Sequence, residues 1–216
     1  MSVLRTAARA AIVAAAAAAV AACVTVFPET EPVQLYRFGA APAAVEQAAG
    51  ETVTAQPVGV LKGRTTFTRS VATDRILTIT GAEAAYIADA RWVSPASVLF
   101  DEALDQAFDD NAGPARLVVR GEASRAAYFL RLDVSGFEAV YDHGRRAAPT
   151  VVVRVRAVLT RSSDRMLAGD ETIEVKVRAK TNRVGSIVEA FDAAASQSIA
   201  KVVVWTNEKA VAPPPS

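Results

Sequence analysis

The sequence predicts one α/β domain of the α+β type, in which a mixed, mostly antiparallel sheet packs against two main helices. Short β-rich runs flank a turn in the first half, longer runs in the second half alternate between apolar and polar residues, and two stretches have helical periodicity. The predicted order is strands, hairpin, helix, four strands and helix, which suits a layered fold.

The first half predicts short strands. Residues 35–38 and 57–61 are brief apolar runs. Residues 75–80 and 85–90 are rich in β-forming side chains and flank the Gly-containing connection 81–83. Two such runs around a short turn predict a β-hairpin.

The first helix is predicted to begin near Ser94, with Ser94 as its cap and Pro95 in its first turn. Residues 111–114 (Asn-Ala-Gly-Pro) would end it. The apolar residues that share one helical face are Phe100, Ala103, Leu104, Ala107 and Phe108.

The second half predicts an antiparallel meander with one wet face. Residues 115–121, 128–134, 151–160 and 173–177 read as strands, and 162–165 as the turn between the last two. Alternation with period two indicates that one sheet face is covered and the other meets water. A final amphipathic helix could cover it with Val184, Val188, Phe191, Ala195, Val202 and Trp205.

The N-terminal alanine tract predicts a cleaved signal. Its uncharged apolar run, residues 10–22, would span roughly 20 Å as a helix, short of the ~30 Å hydrocarbon core of a membrane. Arg5 and Arg9 precede it as a positive n-region. The alternative is a buried N-terminal helix, which poly-alanine would also favour.

The residues that follow resemble a bacterial lipobox. Val20-Ala21-Ala22-Cys23 has an aliphatic residue, two small residues and the one cysteine of the chain. Cys23 would become the acylated mature N-terminus, and several acyl chains hold a membrane far more firmly than one. An ordinary signal cleavage with an unrelated cysteine is the alternative. Val24, rather than an aspartate, favours the outer membrane.

These features predict four segments. Residues 1–22 are the lipoprotein signal peptide, 23–33 the lipidated cysteine and an extended tether with two prolines, 34–208 the domain, and 209–216 a disordered tail. Residues 40–56 predict a loop or a poorly formed helix.

Composition excludes several functions. Without Arg5 and Arg9, the 24 basic residues fall to 22 against 23 acidic ones, and this balance gives no electrostatic footprint for nucleic acid. One cysteine supports neither a disulfide framework nor a cysteine metal site. One histidine, His143, leaves little for metal or triad chemistry. No cofactor or metal is predicted.

Motifs for catalysis are lacking in the sequence. A general base at His143, beside Asp142, is the catalytic alternative to a solvated turn, and Ser124 has no spacing that supports a nucleophile. An acidic cluster could be imagined as a cation site, although it fits the polar face and end of the first helix better: Asp105, Asp109, Asp110 and Asn111.

Two further groups of residues, a pair of arginines and the two tryptophans, allow two interpretations each. Arg145-Arg146 could meet lipid phosphates or be exposed loop charge. Trp92 and Trp205 suit core packing, with an interface anchor as the alternative.

Several segments together resemble the ABC-type transport auxiliary lipoproteins, the PqiC-like group. The resemblance covers roughly residues 20–207, although 40–70 match poorly. The segments that carry it are 20–23 (VAAC), 35–38 (LYRF), 91–95 (RWVSP), 128–138 (YFLRLDVSGFE), and 190–194 (AFDAA) leading to Val204-Trp205.

This resemblance implies a layered fold similar to the N-terminal domain of TolB-type proteins. It also implies a lipid-anchored periplasmic partner of an ABC transporter with an MCE-domain subunit, in a system that supports lipid traffic between the two membranes and envelope integrity. With Val24, the expected location is the periplasmic face of the outer membrane. It provides no catalytic residue. The oligomeric state stays open, although a ring would suit a protein that caps a tunnel.

Two other functions remain as alternatives. A structural outer-membrane lipoprotein would bind cell wall or an envelope assembly regardless of a transporter. A periplasmic hydrolase would lose its activity on His143→Ala.

Overall fold

The structure is a computed structural model that describes residues 33–39, 57–118 and 126–211. These residues form nine strands and two helices, in this order: β1 (Gln34–Tyr36), β2 (Val58–Lys62), β3 (Thr66–Phe67), β4 (Arg75–Thr80), β5 (Glu83–Trp92), α1 (Ala96–Asp109), β6 (Ala115–Val118), β7 (Tyr128–Val140), β8 (Thr150–Arg161), β9 (Leu167–Arg178) and α2 (Val184–Lys209).

The long strand β7 organises the sheet. On one side it pairs antiparallel with β8 over its whole length, from Tyr128 opposite Arg161 to Val140 opposite Thr150. Strand β8 pairs antiparallel with β9. The predicted meander is therefore confirmed for β7, β8 and β9, which contain the longest ladders of the mixed sheet, whereas β6 pairs parallel with β2 and lies outside it.

On its other side, β7 pairs with three short strands in succession, all parallel to it. Val60 of β2 lies opposite Tyr128, Thr66 of β3 opposite Asp133, and Thr78 of β4 opposite Ala139. Strand β6 extends the sheet beyond β2, and β5 followed by β1 extends it beyond β4. The predicted hairpin is β4–β5.

One face of the β7–β9 meander is covered by helices. Helix α2 packs on β8 and β9, and α1 packs on α2 and β6. The covered side chains are almost fully buried, as the alternation predicted: Tyr128, Leu130, Leu132, Val134, Val151, Val153, Val155, Ala157, Leu159, Ile173 and Val175.

An aromatic cluster fills the space between the helices and the β3–β5 side of the sheet. Trp92, 2% exposed, lies with its ring centroid 5.0 Å from that of Phe38 and 5.3 Å from that of Phe191. Phe137 lies 5.0 Å from Phe191. Burying one such ring contributes roughly 1.5–3 kcal/mol, so this cluster is a main source of stability.

Helix α2 approaches β9 closely where Trp205 packs over Gly169. A Cβ built on Gly169 would lie 2.8 Å from Cζ2 of Trp205, which is too close for a real contact. Trp205 is 8% exposed. Both tryptophans therefore belong to the core, and the interface alternative is wrong for them.

Two details of the predicted elements are corrected. Pro95, not Ser94, is the N-cap of α1, and its side chain has no oxygen that could cap the helix; the first helical amide, Ala96 N, donates instead to the carbonyl of Thr73 at 2.9 Å. Strand β7 continues past residue 134. A bulge between Val134 and Gly136 changes which residues face the covered side of the sheet, so that Phe137 is buried after it.

Candidate functional site

The predicted lipid attachment residue, Cys23, lies outside the described residues, as do the lipobox, the stretch 40–56 and Ser124. The described chain begins at Val33 and enters the sheet at its edge, where Gln34 of β1 lies opposite Ala90 of β5. Neither described helix is long and apolar enough to cross a membrane.

Two acidic residues of α1, Asp101 and Asp105, contact neighbouring structure. Lys62 Nζ lies 2.5 Å from an Asp105 oxygen and 3.3 Å from an Asp101 oxygen. Thr65 Oγ1 donates to the same Asp101 oxygen at 2.5 Å. These contacts attach α1 to the end of β2, which agrees with the interpretation of the acidic cluster as a polar helix face.

Asn111, the fourth member of the predicted acidic cluster, points into the protein instead. Its side chain exchanges two hydrogen bonds with that of Asn207 on α2, at 3.0 and 3.1 Å. Asn207 Oδ1 also accepts from the Ala115 amide at 3.0 Å. The pair joins the end of α2 to the loop that follows α1. Among the residues placed in the structure, no three His, Cys, Asp or Glu side chains are arranged to hold a metal ion.

His143 lies in the exposed loop between β7 and β8. Its Nδ1 is 2.9 Å from an Asp142 oxygen and 2.9 Å from Nη1 of Arg178. The two contacts require opposite roles, because Nδ1 donates to Asp142 when it carries a proton and accepts from Arg178 when it does not. Hydrogen bonds from His143 and Thr150 lower the pKa of Asp142. This arrangement ties the loop to β8 and β9.

The two predicted arginines of this loop differ in their surroundings. Arg145 forms an ion pair with Glu83 at the tip of the β4–β5 hairpin, and its carbonyl accepts from Asn182 at 2.9 Å. Arg146 is exposed. Tyr141 donates from its hydroxyl to the Asn182 side chain at 2.8 Å, and burial raises the pKa of this hydroxyl.

The uncovered face of β7–β9 carries matched charges, a pattern that the alternation predicted only as polar. Arg156 makes two hydrogen bonds to Asp170, at 2.9 and 2.5 Å, and these lower the pKa of Asp170. Arg154 donates two hydrogen bonds to one Glu174 oxygen, and Lys176 Nζ lies 2.6 Å from the other Glu174 oxygen. These charged side chains therefore have partners within the sheet and can remain exposed to water.

Apolar side chains are exposed at the opposite end of the meander from His143, and we call them the apolar end. Register places Phe129, Thr160 and Leu167 in one row across the three strands. Phe129 is 39% exposed, Leu167 62% and the adjoining Met166 57%. The sequence predicted strands at Phe129 and Thr160 but assigned Met166 and Leu167 to no element, and the group as a whole depends on cross-strand register.

Solved structures resemble this fold. A protein from Xanthomonas campestris assigned to the family model DUF330 is 22% identical, with a TM-score of 0.67 over 82% of this chain and 96% of that chain. A second structure, titled an uncharacterized protein, has a TM-score of 0.62 at 13% identity, over 81% and 99% of the two chains. These identities support similarity of fold alone, and the fold agrees with the prediction.

Sequence comparison identifies the family. A search of curated proteins finds no significant match. The family model described as "ABC-type transport auxiliary lipoprotein component" matches residues 36–203, which is most of the chain and includes both helices as far as the last two turns of α2. The predicted resemblance is thereby confirmed, and the chain belongs to the ABC-type transport auxiliary lipoprotein family.

Proposed function

We propose that this protein is the lipid-anchored periplasmic accessory subunit of an ABC transport system that contains an MCE-domain protein. In this role it supports lipid transport between the two membranes and envelope integrity. The observation that carries the proposal is the family match over residues 36–203. Members of such a family act beside a transporter, so ATP would be hydrolysed by another subunit.

The membrane attachment follows from the sequence. Cleavage after Ala22 would leave Cys23 to carry the acyl chains, including an amide-linked palmitate or similar chain, and residues 24–33 would form the tether to the domain at 34–208. Val24 favours the outer membrane. Because each buried CH₂ contributes about 0.8 kcal/mol, two or three acyl chains make the attachment stable.

Replacing the cysteine tests this attachment. We expect Cys23→Ala to move the protein from the membrane fraction to the soluble fraction and to abolish labelling by a palmitate analogue. A Cys23→Ala protein that stays in the membrane fraction would contradict the anchor.

The domain itself is proposed to bind rather than catalyse. Its charged groups around His143 and along α1 connect elements of the fold, as Asp142 does with Thr150 and Lys62 does with Asp105. One side of the meander is covered by helices and the other has matched charges. The apolar end is a group of exposed apolar side chains that strand register brings together, and docking there would remove apolar surface from water, which favours association.

We therefore place the contact with the MCE-domain protein at the apolar end. An acidic side chain at Leu167 would put a charge into the docked surface, and burying a charge without a partner is costly. The matched control is Thr172→Asp, which adds the same charge to the same strand at an exposed position farther from the apolar end.

An affinity purification tests both parts of the proposal. We would tag the C-terminus, solubilise membranes in mild detergent, and identify co-purifying proteins from cells with wild type, Leu167→Asp and Thr172→Asp. We expect an MCE-domain protein with wild type and with Thr172→Asp, and its loss with Leu167→Asp. Recovery of cell-wall or assembly components instead, unchanged by deletion of the transporter, would favour the structural-lipoprotein alternative.

A further inference from the structure

A small polar cavity lies between the tip of the β4–β5 hairpin and the loop after β7. Its volume is about 230 Å³. It is lined by Thr78, Thr80, Glu83, Ala85, Tyr141 and Arg145. Pockets for drug-sized ligands measure about 300–1,000 Å³ and are mostly apolar, so this cavity suits a small polar group and not an acyl chain.

Two of the lining residues have hydroxyl groups that already donate hydrogen bonds within the protein. Thr78 Oγ1 donates to the Ala85 carbonyl at 3.1 Å, and the Tyr141 hydroxyl donates to Asn182 at 2.8 Å. What these oxygens can still do is accept a hydrogen bond. Together with the Glu83 carboxylate they form a set of acceptors, which suits a ligand with several N–H donors.

The opposite charge is supplied by Arg145. Its guanidinium can bind a phosphate through two parallel hydrogen bonds. In the structure it is paired with Glu83, and the two side chains are 63% and 59% exposed. An ion pair this exposed contributes little to stability, so exchanging it for contacts with a ligand has a low cost.

A ligand that carries both charges matches this arrangement. Its phosphate would take the place of Glu83 beside Arg145, and its ammonium would take the place of Arg145 beside Glu83. Neither side chain would then lose an opposite charge. A primary ammonium also has three donors for Glu83 and the two hydroxyl oxygens, whereas a trimethylammonium has none.

We infer that the cavity lined by Thr78, Glu83, Tyr141 and Arg145 binds the phosphoethanolamine group. This chemistry occurs as the headgroup of a phospholipid and as a free phosphomonoester. The inference rests on the cavity and is independent of the transport role and of the apolar end.

The test measures binding to the full, lipidated chain in an uncharged detergent by isothermal titration calorimetry. The ligands are O-phosphoethanolamine, glycerophosphoethanolamine, phosphocholine and inorganic phosphate. We expect saturable binding of one or both phosphoethanolamine compounds, and affinity for phosphocholine that is weaker by about fivefold or more because the donors are missing. Glycerophosphoethanolamine binding would identify the lipid headgroup as the source, and binding of the monoester alone would identify the free compound.

Three variants test whether the ligand binds at this cavity or is attracted by the charge of the loop in general. Arg145→Gln should weaken phosphoethanolamine binding by about tenfold or more, since it removes charge-assisted hydrogen bonds. Glu83→Gln should remove the preference for phosphoethanolamine over phosphocholine. Arg146→Gln, which changes an adjacent exposed arginine outside the cavity, should bind as wild type does.

Three results would overturn the inference. They are the absence of saturable binding to both phosphoethanolamine compounds, equal affinity for phosphocholine in the wild type, or equal losses in Arg145→Gln and Arg146→Gln. Circular dichroism and urea unfolding of each variant show that it is folded, which these surface positions lead us to expect.

Discussion

Replacing Gly169 by alanine should destabilise the protein, because the added methyl group would meet Trp205. The new Cβ would lie 2.8 Å from Cζ2 of the indole and 3.3 Å from Cγ of Lys209. The flexible Lys209 side chain can move, but Trp205 is 8% exposed and held by α2. The ring or the helix must therefore shift.

The magnitude follows from two opposing effects. Overpacking a core costs about 1–3 kcal/mol, while Gly→Ala stabilises by about 0.4–1 kcal/mol through the unfolded chain, so we expect a net loss of about 1–2 kcal/mol. In a protein of this size each kcal/mol lowers Tm by about 2–4 °C. Urea unfolding of the full chain, followed by circular dichroism and tryptophan fluorescence, measures the loss.

A double-mutant cycle assigns the loss to the Trp205 contact. In a Trp205→Phe background the smaller ring leaves room for the methyl group, so Gly169→Ala should cost less there than in the wild type. Gly185→Ala is the matched control, since a Cβ on Gly185 meets nothing within 4 Å and the change should be neutral or stabilising. Gly169→Ala as stable as the wild type, or an equal cost in both backgrounds, would refute the close-packing argument.

Two further predictions concern polar groups. Asn207→Ala should cost about 1–3 kcal/mol in urea unfolding, because the Ala115 amide loses its acceptor, although Asn111 keeps its bonds to Ala115 and Gly113; Asn182→Ala at an exposed site should cost much less. Burial raises the pKa of Glu138 against the opposing effects of a backbone amide and Arg154, so its ionised form destabilises the fold above the folded-state pKa. Glu138→Gln should therefore raise the urea midpoint at pH 7. The gain should shrink towards about pH 4, where the carboxyl group is protonated in the unfolded chain as well. A lower midpoint for the variant at pH 7 would contradict this assignment.

The sequence predicted those helices and strands whose residues form a regular pattern within one short stretch of the chain. The β4–β5 hairpin, the alternation of β7–β9 and the apolar face of α1 all arise from neighbours in the chain, and each is present in the structure. The family resemblance was also readable, because it depends on the order of short segments.

The features that the sequence did not predict depend on contacts between residues that are far apart in the chain. The two-residue strand β3 exists because Thr66 lies beside Asp133, and a two-residue strand has no period to detect. The bulge in β7 interrupts the alternation that would have extended the predicted strand to Val140. The cavity at Arg145 combines residues from β4, β5 and the loop after β7, which only the folded sheet brings together.

The way the chain enters the fold has a mechanical consequence. Strand β1 pairs with β5 through three register positions, from Gln34 to Tyr36. Beyond this strand, Phe38 is 1% exposed, and the Gly39 amide donates to Asp192 at 2.7 Å. A pull on the N-terminus would therefore detach the three residues of β1 first, about 10 Å of chain, before the load reached Phe38. Tension applied at the N-terminal end would therefore extend the chain by the length of β1 before it could unfold the rest of the domain.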